Sequence, residues 1–157
     1  MRFLIAILAL AGLFDSVLAL RIHNQDPSQA APCAVTEKFD CGTVNHSRYA
    51  EFPPRTFDEA PNAPGIHIPV AIFGIIGYGL IAIAALANQL WITLQLTEIG
   101  FFFAAFLTYL EAYVLEKWCI YCLWSMGIVT TILVLTIIAL IMKRYRKPAN
   151  PHLRAIS

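Results

Sequence analysis

The sequence predicts an all-α membrane protein, a four-transmembrane-helix bundle with a cysteine-bearing extracytoplasmic loop. Two features of the composition and one of its distribution predict this. Hydrophobic residues make up 59% of the 157 residues and charged residues only 13%. Soluble domains run at roughly 45–50% and about 25%. Mean hydropathy is +0.66. The apolar residues gather in stretches of the length a spanning helix needs, about 20 residues. The same balance rules out disorder. A net charge of +1 and a pI near 7.7 argue against a nucleic-acid binder.

The elements follow in order. The first span covers about 3–20, the second 66–90, the third 91–115 and the fourth 119–142. In the first, Asp15 costs about 2.5–3.5 kcal/mol at the bilayer centre. The surrounding large apolar residues offset this by roughly 0.3–0.6 kcal/mol each. A cleaved signal peptide, with Arg2 ahead of the apolar run, is the alternative reading of this segment. Its apolar run is longer than a usual signal core, which favours a retained helix. The second and third spans are nearly continuous and too long for one helix in a bilayer of about 30 Å. Asn88, Gln89 and Trp91 supply the expected break.

Residues 21–65 differ. They carry Asp26, Glu37, Asp40, Glu51, Asp58 and Glu59, with six prolines from Pro27 to Pro64. This predicts a polar, turn-rich loop with little regular structure. The membrane domain is expected over 1–147, with a fraying cytoplasmic tail over 148–157.

Lys143, Arg144, Arg146 and Lys147 follow the last span. The positive-inside rule puts that end in the cytoplasm. Four spans return the N-terminus to the same side and put the 21–65 loop outside. Cys33 and Cys41 lie in that loop. Cys119 and Cys122 open the fourth span from the same face. All four thiols therefore share a compartment that permits disulfides.

Cys119-Ile120-Tyr121-Cys122 is a C-x-x-C pair. At a helix start its cysteines fall one turn apart on one face, and the helix dipole favours a thiolate at the first. A zinc site built from four thiolates and two structural disulfides are the alternatives. The loop pair is spaced too widely for the usual zinc pattern.

This arrangement resembles the vitamin K epoxide reductase family, including its bacterial homologues. The resemblance covers nearly the whole chain. Cys33-x7-Cys41 lies in the first outside loop, and Cys119-Ile-Tyr-Cys122 opens the last span. Ser47 and Arg48 follow Cys41 at the family's spacing, and Ile72-Phe73-Gly74 opens the second span. The disulfide-bond-type-B thiol oxidases also have four spans, but there the C-x-x-C pair comes first.

The resemblance implies a membrane thiol–quinone oxidoreductase that supports disulfide formation. Cys33 and Cys41 would form a shuttle disulfide oxidising a separate thioredoxin-like partner. Cys41 would exchange with Cys119, and Cys122 would face the quinone. It implies ubiquinone or menaquinone as electron acceptor, and Phe73, Ser47 and Met126 as candidate quinone neighbours. The vertebrate members place an asparagine and a tyrosine where Val70 and Met126 stand here, which argues against vitamin K epoxide as substrate. The expected location is a bacterial inner membrane, with the cysteines periplasmic and both termini cytoplasmic. The chain ends fifteen residues after Met142, so no fused thioredoxin-like domain is expected.

Phe73, Tyr78, Tyr109, Tyr113 and Trp124 could line a quinone pocket, although aromatic residues in spans more often pack or anchor at the interface. Glu111, in the outer part of the third span, is a candidate for a proton route to a reduced quinone, with a place at the membrane interface as the alternative reading. Gly74, Gly77 and Gly79 allow close helix approach.

Overall fold

The computed structural model describes residues 1–26, 33–55 and 67–145. Helix α1 spans Arg2–His23. A short helix α2, Cys41–Asn45, follows in the loop, then a 3-10 turn at Arg48–Ala50. Strands β1 (Glu51–Phe52) and β2 (Ile68–Pro69) pair antiparallel, with Glu51 opposite Pro69. Helices α3 (Val70–Leu86), α4 (Leu90–Leu110) and α5 (Ile120–Tyr145) follow. A π-turn, Glu111–Leu115, extends α4.

Among the described residues, three helical segments are long and apolar enough to cross a membrane: Arg2–His23, Leu90–Leu115 and Ile120–Tyr145. The fourth apolar helix, α3, is shorter than the 66–90 span expected. Its start is displaced because Ile68 and Pro69 pair with β1 instead of joining the helix. Its 17 residues rise about 25 Å at 1.5 Å each. The break before α4 falls at Asn88, whose φ of 58° is left-handed backbone that asparagine tolerates better than most residues.

The surface is inverted relative to a soluble protein. Large apolar side chains point outward along all four long helices, among them Phe14 at 63% exposure, Ile83 at 66%, Phe102 at 71% and Val134 at 50%. Apolar exposure this extensive fits lipid as the surrounding solvent. Hydroxyls are buried instead. Thr97 Oγ1 donates to Thr93 O at 2.8 Å, and Thr136 Oγ1 to Ile132 O at 2.8 Å. These two hydroxyls are thus satisfied within their own helices, as a bilayer demands.

The core joins α1, α3 and α5 through Ile5, Ala9, Tyr78, Ile81, Val129 and Ile132. Small residues let the backbones approach. Gly74 serves in this way: a Cβ there would meet Ser16 Oγ at 2.5 Å, whereas Gly77 has open space. Gly12 is the tighter site. A Cβ on it would meet the Tyr78 ring, with Cζ at 2.5 Å. That ring cannot yield freely, because Tyr78 Oη donates to Ser125 O at 2.9 Å. Gly12→Leu is expected to cost about 1–3 kcal/mol through overpacking. Thermal unfolding in detergent measures this, with Gly77→Ala as the variant expected to change little.

The loop is more ordered than its composition implies. Asp40 caps α2: Thr43 N donates to its Oδ1 at 3.1 Å and Thr43 Oγ1 to its Oδ2 at 2.7 Å. His46 closes the other end, its ring nitrogens 2.8 Å from Gly42 O and 2.9 Å from Gln25 O. Pro27, Pro32, Asp58, Glu59, Pro61 and Pro64 lie outside the described residues, as do Arg146, Lys147 and the tail. Lys143 and Arg144 stand in the last turn of α5, where cations suit the helix dipole.

Candidate active site

The four cysteines meet at one end of the bundle, where α1 and α4 end and α3 and α5 begin. Ile22, Cys33, Cys41, Val44 and Cys119 form one buried cluster, with Cys122 packed against it. Local backbone pairing produces this meeting. Trp118 N donates to Lys38 O at 2.7 Å, and Asp40 N donates to Trp118 O at 3.1 Å. Phe39 and Trp118 thereby form a parallel bridge. Lys117 Nζ adds a bond to Glu37 O. Cys41 follows Asp40 and Cys119 follows Trp118, so the bridge delivers the two cysteines to each other.

Cys33 and Cys41 are joined as a disulfide with Cα atoms 5.8 Å apart. Cys119 and Cys122 are free thiols. This pairing is not the four-thiolate zinc arrangement weighed from the sequence. Cys119 stands just ahead of α5 and not within it, while Cys122 lies in its first turn. Both Cys41 and Cys119 are fully buried.

Asn45 joins the two pairs, and nothing in the sequence marked it. Its Nδ2 donates to Cys41 O at 2.9 Å and to Cys119 Sγ at 3.6 Å. The Asn45 backbone is held separately, with its carbonyl oxygen 2.5 Å from His23 Nδ1. The other ring nitrogen of His23 is 3.4 Å from Glu51 Oε1. Arg55 grips the same carboxylate through Nε at 2.5 Å. The end of α1 is thus tied to α2 and β1 around the cysteines.

Glu111 is the second residue brought here by the fold. It is 2% exposed. Cys119 N donates to its Oε2 at 3.0 Å. A carboxylate oxygen of Glu111 and the sulfurs of Cys119 and Cys122 lie within 4.8 Å of one another.

Electrostatics separate the thiols from ordinary cysteine. The Cys122 thiol, bonding to the Cys119 sulfur, holds the Cys119 thiol below its usual value; backbone N–H groups of Cys122 and Tyr121 add to this. Burial and the Glu111 carboxylate act the other way. The lowering is what a helix start provides. Asp40 is also held below the usual carboxylate range, chiefly by the Thr43 hydroxyl. A depressed carboxylate stabilises the fold above its unfolded value, and the benefit is lost as pH falls through the folded value. Asp40→Ala is therefore expected to loosen α2 by about 0.5–1 kcal/mol at neutral pH, modest because the group is solvated. Hydrogen exchange at the Thr43 amide reads this, and the difference should shrink as pH falls through the lowered folded value of Asp40.

A cavity of about 470 Å³ opens beneath the cysteines. Cys122, Glu111 and Asn45 stand on its wall at one end, and Asp15, Ser16 and Tyr78 farther in. Cys119 and Cys41 are not on the wall. Phe73 and Ser47, expected from the sequence as ligand neighbours, border it. Phe73 is edge-on to Phe52, with ring centroids 6.1 Å apart. Met126 packs against the α1–α3–α5 core instead of on this wall. Tyr109, Tyr113 and Trp124 face outward, at 57%, 74% and 64% exposure, as interface anchors do.

The sequence model of the vitamin K epoxide reductase family matches residues 3–137. No curated protein matches the chain.

Proposed function

We propose, on the premise that the chain belongs to the vitamin K epoxide reductase family, that it oxidises the dithiol of a separate thioredoxin-like protein and reduces a quinone. Family membership implies membrane thiol–disulfide oxidoreductase chemistry linked to quinones. The finer reading assigns the steps and the side of the membrane. All four apolar helices span the bilayer, the cysteines face the extracytoplasmic side of a bacterial inner membrane, and both termini are cytoplasmic.

The partner's dithiol reduces the Cys33–Cys41 disulfide and is itself oxidised. The Cys41 thiolate then attacks the Cys119 sulfur of an oxidised Cys119–Cys122 pair. Cys33 resolves the mixed disulfide by attacking Cys41, leaving Cys119 and Cys122 reduced. Each step breaks one S–S bond and forms another. The reduced C-x-x-C pair gives two electrons and two protons to the quinone. A loop disulfide beside a helix dithiol is the state just after the internal transfer.

The single observation that carries this reading is the Asn45 side chain, which contacts the Cys41 carbonyl and the Cys119 sulfur together. The residues present also fit a quinone. The cavity volume lies in the small-molecule range of roughly 300–1,000 Å³. Its wall is mostly apolar, and Cys122 is the free thiol on it. Ubiquinone or menaquinone suits this wall. Val70 and Met126 offer no polar handle for vitamin K epoxide.

The test is oxidation of a reduced thioredoxin-like protein by the purified chain, with ubiquinone and menaquinone analogues compared. Stoichiometric quinol with loss of partner thiols supports the reading. If all four cysteines keep one redox state under mild reductant and oxidant, the enzyme reading is wrong.

A further inference from the structure

We propose that Glu111 is the proton carrier between the C-x-x-C thiols and the quinone. This rests on the quinone-reducing reading above and deepens it. Thiols hold their electrons behind S–H bonds, and a quinone takes up one proton at each ring oxygen. Two S–H bonds break, one S–S bond forms and two O–H bonds form, with two electrons passing from sulfur to the ring. The protons need a route in a region that apolar residues enclose.

Glu111 is the acid placed for that route. Its carboxylate is 2% exposed and stands within 4.8 Å of both sulfurs. It shares the cavity wall with Cys122. Its two oxygens are used unequally. Oε2 accepts the Cys119 backbone N–H at 3.0 Å. Oε1 is buried and accepts no N–H or O–H bond among the described residues; the carboxylate's other partner is the Cys122 thiol, which hydrogen-bonds to it. A buried oxygen this poorly satisfied is costly, and such groups point to a ligand or a catalytic role. The first oxygen holds the carboxylate at the helix start. The second is free to take a proton from Cys122 and pass it to the ring oxygen that accepts it. After the first transfer the carboxylate is again unprotonated and takes the Cys119 proton in turn. Both electrons and both protons of the dithiol are then accounted for, and Glu111 is unchanged.

Asp15 is the other acid on the cavity wall, but it lies mid-way along α1, more than two turns before His23. Described titratable groups around the cysteines include His23, His46, Tyr49, Glu51, Arg55, Asp40, Lys117 and Tyr121. His23 is committed to Asn45 O and Glu51, and Arg55 to Glu51. Asp40 is committed to Thr43, and Lys117 to Glu37 O.

Glu111→Gln separates the two uses of the side chain. Its amide oxygen still accepts the Cys119 N–H, but it cannot take a proton. Loss of a general base or acid typically costs 10²–10⁴-fold. We expect quinone reduction by the full-length E111Q protein to fall about 10²-fold in kcat with KM nearly unchanged. The wild-type rate should rise with pH as the carboxylate ionises, and that limb should be missing from E111Q. Glu111→Asp should restore part of the rate and the limb. A second readout needs no quinone: iodoacetamide alkylation of Cys122 in a Cys119→Ser background. There the pH dependence should shift when Glu111→Gln is added.

A wild-type-like pH profile in E111Q overturns the proposal, whether the rate is high or low; a slow variant with an unchanged profile makes Glu111 a positioning residue only. If wild type reduces no quinone, the functional reading itself fails, and the inference falls with it. If wild type is active and both E111Q readouts match it, the inference alone fails.

Discussion

Cys122→Ala is expected to abolish quinone reduction, by about 10³-fold or more, and to accumulate a Cys41–Cys119 disulfide. Cys119 is held below the ordinary thiol value at the start of α5, so it is the more nucleophilic free cysteine at neutral pH. Asn45 bridges it to Cys41. Its thiolate attacks the Cys41 sulfur, the Cys33–Cys41 bond breaks, and Cys33 leaves as a thiol. In the wild type Cys122 can release Cys119 by attacking it in turn. Without Cys122 that release is gone. Alkylation of free thiols followed by non-reducing electrophoresis and peptide mass mapping reads the species directly. Finding Cys33–Cys119 in its place would reverse the order of the relay.

Asn45→Asp is expected to slow the transfer between the two pairs by about 10²-fold, and Asn45→Ala by about 10-fold. The asparagine side chain donates to sulfur, which favours the thiolate and steadies the charge during exchange. Aspartate has nearly the same shape but offers no N–H. Its negative charge would stand beside the Cys119 sulfur in a buried site, where like charges cost several-fold more than in water. Alanine removes the donor and leaves the Cys41 carbonyl without it. Rapid-quench trapping of the mixed disulfide measures the step apart from quinone chemistry. Equal rates in all three proteins would reduce Asn45 to a packing residue. Measured against wild type at the same pH, the deficit of the Asp variant should narrow as pH falls and its carboxylate protonates, whereas that of the Ala variant should not.

These two variants show which parts of the site were readable in advance. The cysteines were, because thiols are few here and their spacings, x7 in a loop and x2 at a helix start, carry chemistry on their own. Asn45 was not. A lone asparagine in a polar loop carries no signal until the 38–40 and 117–119 segments pair. Glu111 could be read as an intramembrane acid. Its bond to the Cys119 amide could not, because a π-turn and a left-handed Glu116 intervene. That turn brings residues eight apart back into contact.

The helices divide the same way. Apolar stretches predicted the long helices, and Asn88 the break between α3 and α4. The short helix α2 was missed because its apolar content is small; the Asp40 cap and the His46 contacts stabilise it instead. The start of α3 was misplaced by strand pairing with β1, a contact formed with residues more than a dozen positions earlier. Gly12 passed unnoticed because its partner, the Tyr78 ring, lies on another helix.

By itself the sequence determined the apolar surroundings, the helical class and the two cysteine pairs as candidates. These depend on composition and on local spacing, which act within a turn or a span. Only the tertiary structure decided which cysteine meets which, that Cys122 rather than Cys119 borders the cavity, and that Asn45 and Glu111 join them. Those outcomes depend on backbone pairing and helix packing between distant segments. A thiol becomes part of a relay only when a second thiol, a donor and a proton acceptor are held within a few ångströms of it.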